Sequence, residues 1–179
     1  NVGDGGNSPF HYSGQQAFYF ATGNSLIRFY NSGQEIVRFS NSTSYTSGWH
    51  IVLISVNLST NTAYCYVDDA SMPITINNMS SHSVADFTNL RMPYESNTKV
   101  GAFYMSSTFV DISQEANRLK FFDALGNPLD WGSEVTNENI ASPIVLLKFN
   151  NSSSFGSNSG TGGNFTATSG IIDIGYVNG

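Results

Sequence analysis

In segments 25–30 and 34–40 every second residue is apolar. Ile27, Phe29, Val37 and Phe39 share one parity, and Arg28, Tyr30 and Arg38 share the other. Side chains of an extended strand alternate between faces, so this period predicts half-buried strands, the first set facing a core and the second facing solvent. The two segments flank Asn31-Ser32-Gly33, a hairpin signal, and Glu35 interrupts the alternation. Residues 49–57 (WHIVLISVN) are apolar on both faces, as a central strand should be. After a turn at Leu58–Asn61, residues 62–68 return with Ala63, Cys65 and Val67 on one side and Tyr64 and Tyr66 on the other. A second turn at 68–71 leads to 72–77, where Pro73 marks an edge strand or a strand start. Segments 10–21, 98–104, 143–149 and 170–177 also read as strands, and 78–97 as a loop.

A single helix is expected, over 113–121. Asp111 or Ser113 supplies a cap, Glu115 lies near the positive end, and Arg118 and Lys120 lie near the negative end. Leu119 and Phe121 or Phe122 are expected to face inward. Many short strands separated by turns every 8–12 or so residues indicate a sandwich or barrel. No internal repeat of solenoid length appears. The chain of 179 residues is the size of one domain. The reading divides it into a flexible lead-in over 1–9 and one β domain over 10–179, with Trp49, Val52, Ile54, Val56 and Val67 in the core.

Charged residues make up 11% of the chain, against roughly 25% in an average globular protein, so solubility rests on Asn, Ser and Thr. Such a surface suits hydrogen bonding to neutral ligands and equally suits a passive coat. The net charge of −6 and the lack of any Lys/Arg run argue against nucleic-acid binding. No apolar stretch reaches the 18 or so residues of a membrane span. The one cysteine, Cys65, has no partner for an internal disulfide. This fits assembly in a reducing cytosol and use outside it. The opening at Asn1, with no signal-peptide pattern, reads as a processed or excised start.

Two blocks carry a family resemblance. Trp49-His50, an apolar strand, a turn and Ala63–Asp69 resemble the W-H-x-V … Y-V-D-G hairpin of laminin-G-like and concanavalin A-like domains. Asp111-Ile112-Ser113, Glu115-Ala116-Asn117-Arg118, Lys120-Phe121 and Gly126-Asn127-Pro128-Leu129-Asp130 resemble a D-x-S-x-E-A-N-R-x-K-F and G-x-P-x-D block of concanavalin A-like modules in bacteriophage structural proteins. Pro143–Leu147 and the Gly-rich Ser154–Phe165 follow as that family's later strand and closing loop do. The resemblance covers about residues 45–170. It departs from the family at Asp69-Ala70, where a Gly is usual after the hairpin aspartate. It implies an all-β, concanavalin A-like jelly-roll β-sandwich of two antiparallel sheets with one short helix. It also implies a non-enzymatic structural or decoration module of a virion, on capsid surface, tail or fibre, placed on the particle surface. Its partners would be other virion proteins in a symmetric assembly and host-surface glycans, with neither nucleic acid nor membrane. The alternative is a carbohydrate-binding lectin domain of a receptor-binding protein or bacterial surface adhesin; a glycoside hydrolase is a third reading.

A glycosidase needs two carboxylates about 5–10 Å apart across the sugar. None of the thirteen acids falls in the expected strand pattern. Asp68-Asp69 lies in a turn, Asp111 and Glu115 straddle a helix start, and Glu134 and Glu138 lie in a polar loop. His11, His50 and His82 accompany no nucleophile elbow. Cys65 reads as a small core residue. No catalytic residue is therefore assigned. For a cofactor the expectation is none, with Ca²⁺ as the one ion to consider. Its candidate ligands, Asp68, Asp69 and Asp111, read equally as solvated turn and cap acids. Sugar binding is assigned to Tyr30, Tyr64, Tyr66, Arg28 and Arg38, whose outward parity would line an exposed sheet face; cross-strand pairing explains the same tyrosines. The loop 156–163 lacks a P-loop lysine and reads as a surface loop whose glycines adopt positive φ. It and the lead-in are expected to be ordered by neighbouring chains.

Overall fold

The computed structural model describes residues 10–12, 15–21, 26–31, 34–40, 43, 48–81, 90–91, 101–122, 143–148, 157–162 and 164. The 1–9 lead-in, the Ser32-Gly33 turn, His82, Gly126–Asp130, Glu134, Glu138 and the 170–177 strand lie outside them. The strands are β1 (Phe10–Tyr12), β2 (Gln15–Ala21), β3 (Leu26–Asn31), β4 (Gln34–Ser40), β5 (Val52–Asn57), β6 (Thr62–Val67), β7 (Ala70–Ser71), β8 (Ile74–Asn77), β9 (Leu90–Arg91), β10 (Ala102–Met105) and β11 (Val145–Lys148). One short helix, α1 (Glu115–Arg118), and a single 3-10 turn at Met79–Ser81 complete the described elements. The protein is all-β, and every pairing among the described strands is antiparallel.

Two compact units interleave along the chain: residues 1–99 with 110–128, and residues 100–109 with 129–179. The first unit holds a six-stranded sheet in the order β8-β4-β3-β2-β1-β9 and a three-stranded sheet in the order β5-β6-β7. One apolar cluster draws on both sheets. Ile27, Phe29, Ile36, Val37 and Phe39 come from β3 and β4, and Ala63, Cys65 and Val67 from β6; Met72 and Met79 join them. Val52, Ile54, Val56 and Leu58 pack on this cluster half-buried. The inward parity of β3, β4 and β6 is the one the alternation predicts. Glu35 breaks it because β4 carries a bulge. Phe29 pairs with Val37 and Tyr30 with Glu35, so Ile36 is the extra residue, and both Ile36 and Val37 are buried.

β5 is not central: among the described residues β6 is the middle strand of its sheet. On the face of β5 opposite Val52, Ile54 and Val56, Ser55 is buried and its Oγ donates to Val110 O at 2.5 Å. Trp49 is not a core anchor; it is 57% exposed. It lies ahead of β5, which begins only at Val52, and so is not part of the buried strand. β8 starts just after Pro73 and lies at the sheet edge, where a residue without an N–H costs no ladder bond.

The helix is shorter than expected. Its N-cap is Gln114, whose side chain makes no capping bond. Asp111 and Ser113 satisfy each other instead, Asp111 Oδ1 accepting from Ser113 N (3.1 Å) and Ser113 Oγ (2.6 Å). Phe121 and Phe122 are buried, while Leu119 is exposed, because the chain leaves the helix at that residue.

The second unit contains the antiparallel pair β10–β11, with Val145, Leu146 and Leu147 buried. Residues 157–162 are held by their own chain. Ser159 N donates to Leu146 O, Thr161 N to Pro143 O and Gly162 N to Ile144 O, at 3.0, 2.9 and 2.8 Å. Gly160 and Gly162 serve close approach and not positive φ: a Cβ on Gly160 would stand 2.6 Å from Ile144 O, and one on Gly162 2.8 Å from it.

Candidate functional site

The Asp68-Asp69 turn is where chemistry-bearing side chains gather. It closes the β6–β7 hairpin with Val67 opposite Ala70, so the loop has two residues. Both take positive φ, 49° and 63°, the pattern of a type I′ turn. Asp tolerates this region better than most residues because its carboxylate can bond locally. Here the two carboxylates reach in different directions. Asp68 Oδ1 accepts from Ile51 N at 2.9 Å, Asp68 N donates to Ile51 O at 2.9 Å, and His50 Nδ1 donates to Asp68 Oδ2 at 2.7 Å. Asp69 Oδ1 accepts from Arg118 Nε.

Arg118 is the hub on the other side. Its side chain is 11% exposed. Nη1 donates to Ile112 O (3.0 Å) and Ser113 O (3.1 Å), and the guanidinium lies over the Tyr66 ring, 4.2 Å from its centroid. Asn117 Nδ2 donates to Asp111 O at 2.9 Å, and Lys120 Nζ to Asn117 Oδ1 at 2.7 Å. The residues Asp111, Ser113, Asn117, Arg118 and Lys120 therefore bond to one another and to the Asp69 turn. Because Asp69 supplies a carboxylate to Arg118, the site explains why an acid stands where a glycine would suit the backbone.

The five sugar-binding candidates do not come together. Arg28, Tyr30 and Arg38 lie on the face of the six-stranded sheet turned away from the shared core, with Arg28 opposite Arg38 and Tyr30 opposite Glu35. Glu35 grips Arg38 through two bonds, 2.5 Å to Nε and 2.8 Å to Nη2. Tyr64 and Tyr66 lie on the outer face of the other sheet, and Tyr66 is under Arg118. The two sets therefore belong to different sheets, Arg28, Tyr30 and Arg38 to the six-stranded one and Tyr64 and Tyr66 to the three-stranded one. Of the metal candidates, Asp68 is turned to His50 and Ile51, Asp69 to Arg118, and Asp111 to Ser113. Among the described residues no three His, Cys, Asp or Glu side chains converge. Cys65 is buried 3.8 Å from Met72 Sδ, and burial pushes its thiol up from the usual range.

Sequence reasoning missed His50 as the partner of Asp68 and the exposure of Trp49. The chain matches no protein-family model, no curated protein and no solved structure.

Proposed function

We propose that this chain is a non-enzymatic structural or decorating module of a bacteriophage virion, built as a concanavalin A-like jelly roll, displayed on the particle surface and acting through attachment to other virion proteins. The observation that carries this reading is how the most specific sequence block spends its side chains. Asp111, Ser113, Asn117, Arg118 and Lys120 bond to one another, to nearby carbonyls and to Asp69. A motif used in this way maintains a shape. It supports a scaffold that presents its surface and not a constellation that turns over substrate. The engagement of Glu35 with Arg38, and of Asp68 and Asp69 with His50 and Arg118, supports the same reading of the acids.

The test is composition of the particle. Gradient-purified virions of the virus that encodes this chain are analysed by quantitative mass spectrometry and imaged by cryo-electron microscopy. The expected result is the chain on the outside, at a copy number set by capsid or tail symmetry. Its absence from infectious particles, or shortening of a polysaccharide by the purified chain, overturns the proposal.

A further inference from the structure

We infer that the outer edge of β5 is a self-association surface, where a second copy of this chain adds its own β5 antiparallel about a two-fold axis at Ile54. This goes beyond the proposed function and does not depend on where the chain is displayed. Register fixes which backbone groups point outward. Asp68 N donates to Ile51 O at 2.9 Å, and the pairing continues as Val52 with Val67, Leu53 with Tyr66 and Ile54 with Cys65. Backbone groups of an antiparallel strand alternate in direction, so Ile51, Leu53 and Ser55 bond toward β6, and Val52, Ile54 and Val56 turn their N–H and C=O groups away from it. Cys65, opposite Ile54, agrees: its carbonyl accepts from Met72 N, just past β7. Among the described residues no strand pairs with this outer edge. Burial follows the same pattern. Val52, Ile54 and Val56 pack on the core cluster yet stay half-buried, whereas their β6 partners Ala63, Cys65 and Val67 are buried. A strand flanked on one side only leaves its inward side chains part-open.

The other described edges of this unit's two sheets are blunted. β7 and β9 have two residues each, and β8 has four, follows Pro73 and carries a bulge. β5 has six residues in unbroken register, with no proline and no charge. A regular, neutral strand edge is a template for another strand. Its sequence selects the second copy. With Ile54 on the axis, each Val52 lies opposite a Val56 and Ile54 meets its own copy, so the outward groups exchange about six backbone hydrogen bonds. Leu53 lies opposite Ser55 on the other face. The net charge of −6 makes two copies repel at long range, but no Asp, Glu, Lys or Arg occurs between Arg38 and Asp68, so the two β5 strands meet without like charges of their own. The contact is isologous and closes at two copies. The two three-stranded sheets then run as one, and β5 becomes the central strand that its apolar pattern describes.

The experiment is analytical ultracentrifugation of the full chain over a concentration series, with amide hydrogen exchange at both ends of the series. A monomer–dimer equilibrium is expected. The amides of Val52, Ile54 and Val56 should gain protection in the dimer, whereas those of Leu53 and Ser55, which bond to β6, should be protected at every concentration. Leu53→Lys and Leu53→Glu are the variants, with thermal unfolding as a check on folding. Each sets like charges diagonally across the axis and should weaken the dimer about tenfold or more. Mixing the two variants in equal amounts should restore it. Exchange on the wild type decides the question where a variant does not fold. A chain that stays monomeric at every concentration overturns the inference, whether its edge is taken by a strand of another protein or by the chain itself. So does a dimer in which Val52, Ile54 and Val56 exchange as fast as in the monomer, or one that neither Leu53 variant weakens.

Discussion

Arg118 lies over the ring of Tyr66, 4.2 Å from its centroid, and from there its Nε reaches Asp69 while Nη1 bonds two backbone carbonyls. The aromatic face and the carbonyls are the sheltered partners; Asp69 is 44% exposed and its charge is partly screened by water. Arg118→Met should therefore cost about 2–3 kcal/mol, from the lost cation–π contact and two carbonyls left short of a donor. Asp69→Asn, which keeps the turn and a local acceptor, should cost less than about 1 kcal/mol. Urea denaturation of both variants tests this ranking, and a larger loss from Asp69→Asn would show that the ion pair dominates.

The same contacts mark how far the sequence could be read. Period 2 is a geometric property of a strand, so the inward set Ile27, Phe29, Val37, Phe39, Ala63, Cys65 and Val67 was legible without coordinates. The bulge at Ile36 was not, because three consecutive residues fit either register until a partner strand selects one. The helix was read too long because charge order and capping types describe an isolated helix, whereas Asp111 and Ser113 found each other first. The candidate site was harder still. Outward parity assigns Tyr30 and Tyr64 each to one face of its own strand, and it does not reveal that β3 and β6 belong to different sheets. Likewise Asp69 looked like a flaw in a turn until Arg118, far along the chain, gave its carboxylate a task.

Asp111 holds the entry to the helix. Its Oδ1 accepts from both the backbone and the hydroxyl of Ser113. Asp111→Ala should destabilise the protein by roughly 1–2 kcal/mol, and Ser113→Ala by less, since the backbone N–H keeps its acceptor in the second variant. The double variant should cost little more than Asp111→Ala alone, because the hydroxyl bond is already gone. Thermal unfolding of the three variants reads the coupling, and additive losses would argue that the two residues act independently.

Cys65 makes stability sensitive to alkaline pH. Burial raises its thiol pKa in the folded protein, so the folded state keeps the proton after the unfolded chain, near a pKa of about 8.5, has begun to release it. The folded state then binds more protons than the unfolded one. The thiol's contribution is flat below about pH 8 and lowers stability above it, approaching a slope of about 1.4 kcal/mol per pH unit. The Tyr104 hydroxyl is also raised by burial, but its unfolded counterpart titrates near pH 10, so the interval between about 8.5 and 10 isolates the thiol. Cys65→Ala should remove the slope there. The native thiol should also resist a disulfide reagent until denaturant is added. Rapid labelling of the folded protein, or an unchanged slope in the variant, would contradict the burial argument.

Asn158 fastens the Gly-rich segment to the β11 side of its unit. Its Oδ1 accepts from Leu146 N (2.8 Å) and Gly160 N (2.9 Å), and its Nδ2 donates to Ile144 O and Gly162 O, both at 2.9 Å. A primary amide has two lone pairs on oxygen and two hydrogens on nitrogen, and all four are used. Asp keeps the acceptors and loses the donors; Ala loses both. Asn158→Ala should therefore cost about 2–3 kcal/mol, since the Leu146 and Gly160 amides and two carbonyls each lose this partner. Asn158→Asp should be damaging as well, because its second oxygen would face the Ile144 and Gly162 carbonyls. Gly160→Ala should act in the same place by a different route, its methyl forced against the Ile144 carbonyl at a cost of about 1–3 kcal/mol. Amide hydrogen exchange on the isolated chain is the measurement. Slow exchange at Leu146 and Gly160 in the wild type, lost in Asn158→Ala, is expected. Fast exchange at both amides in the wild type would mean that the segment waits for a neighbouring chain to order it.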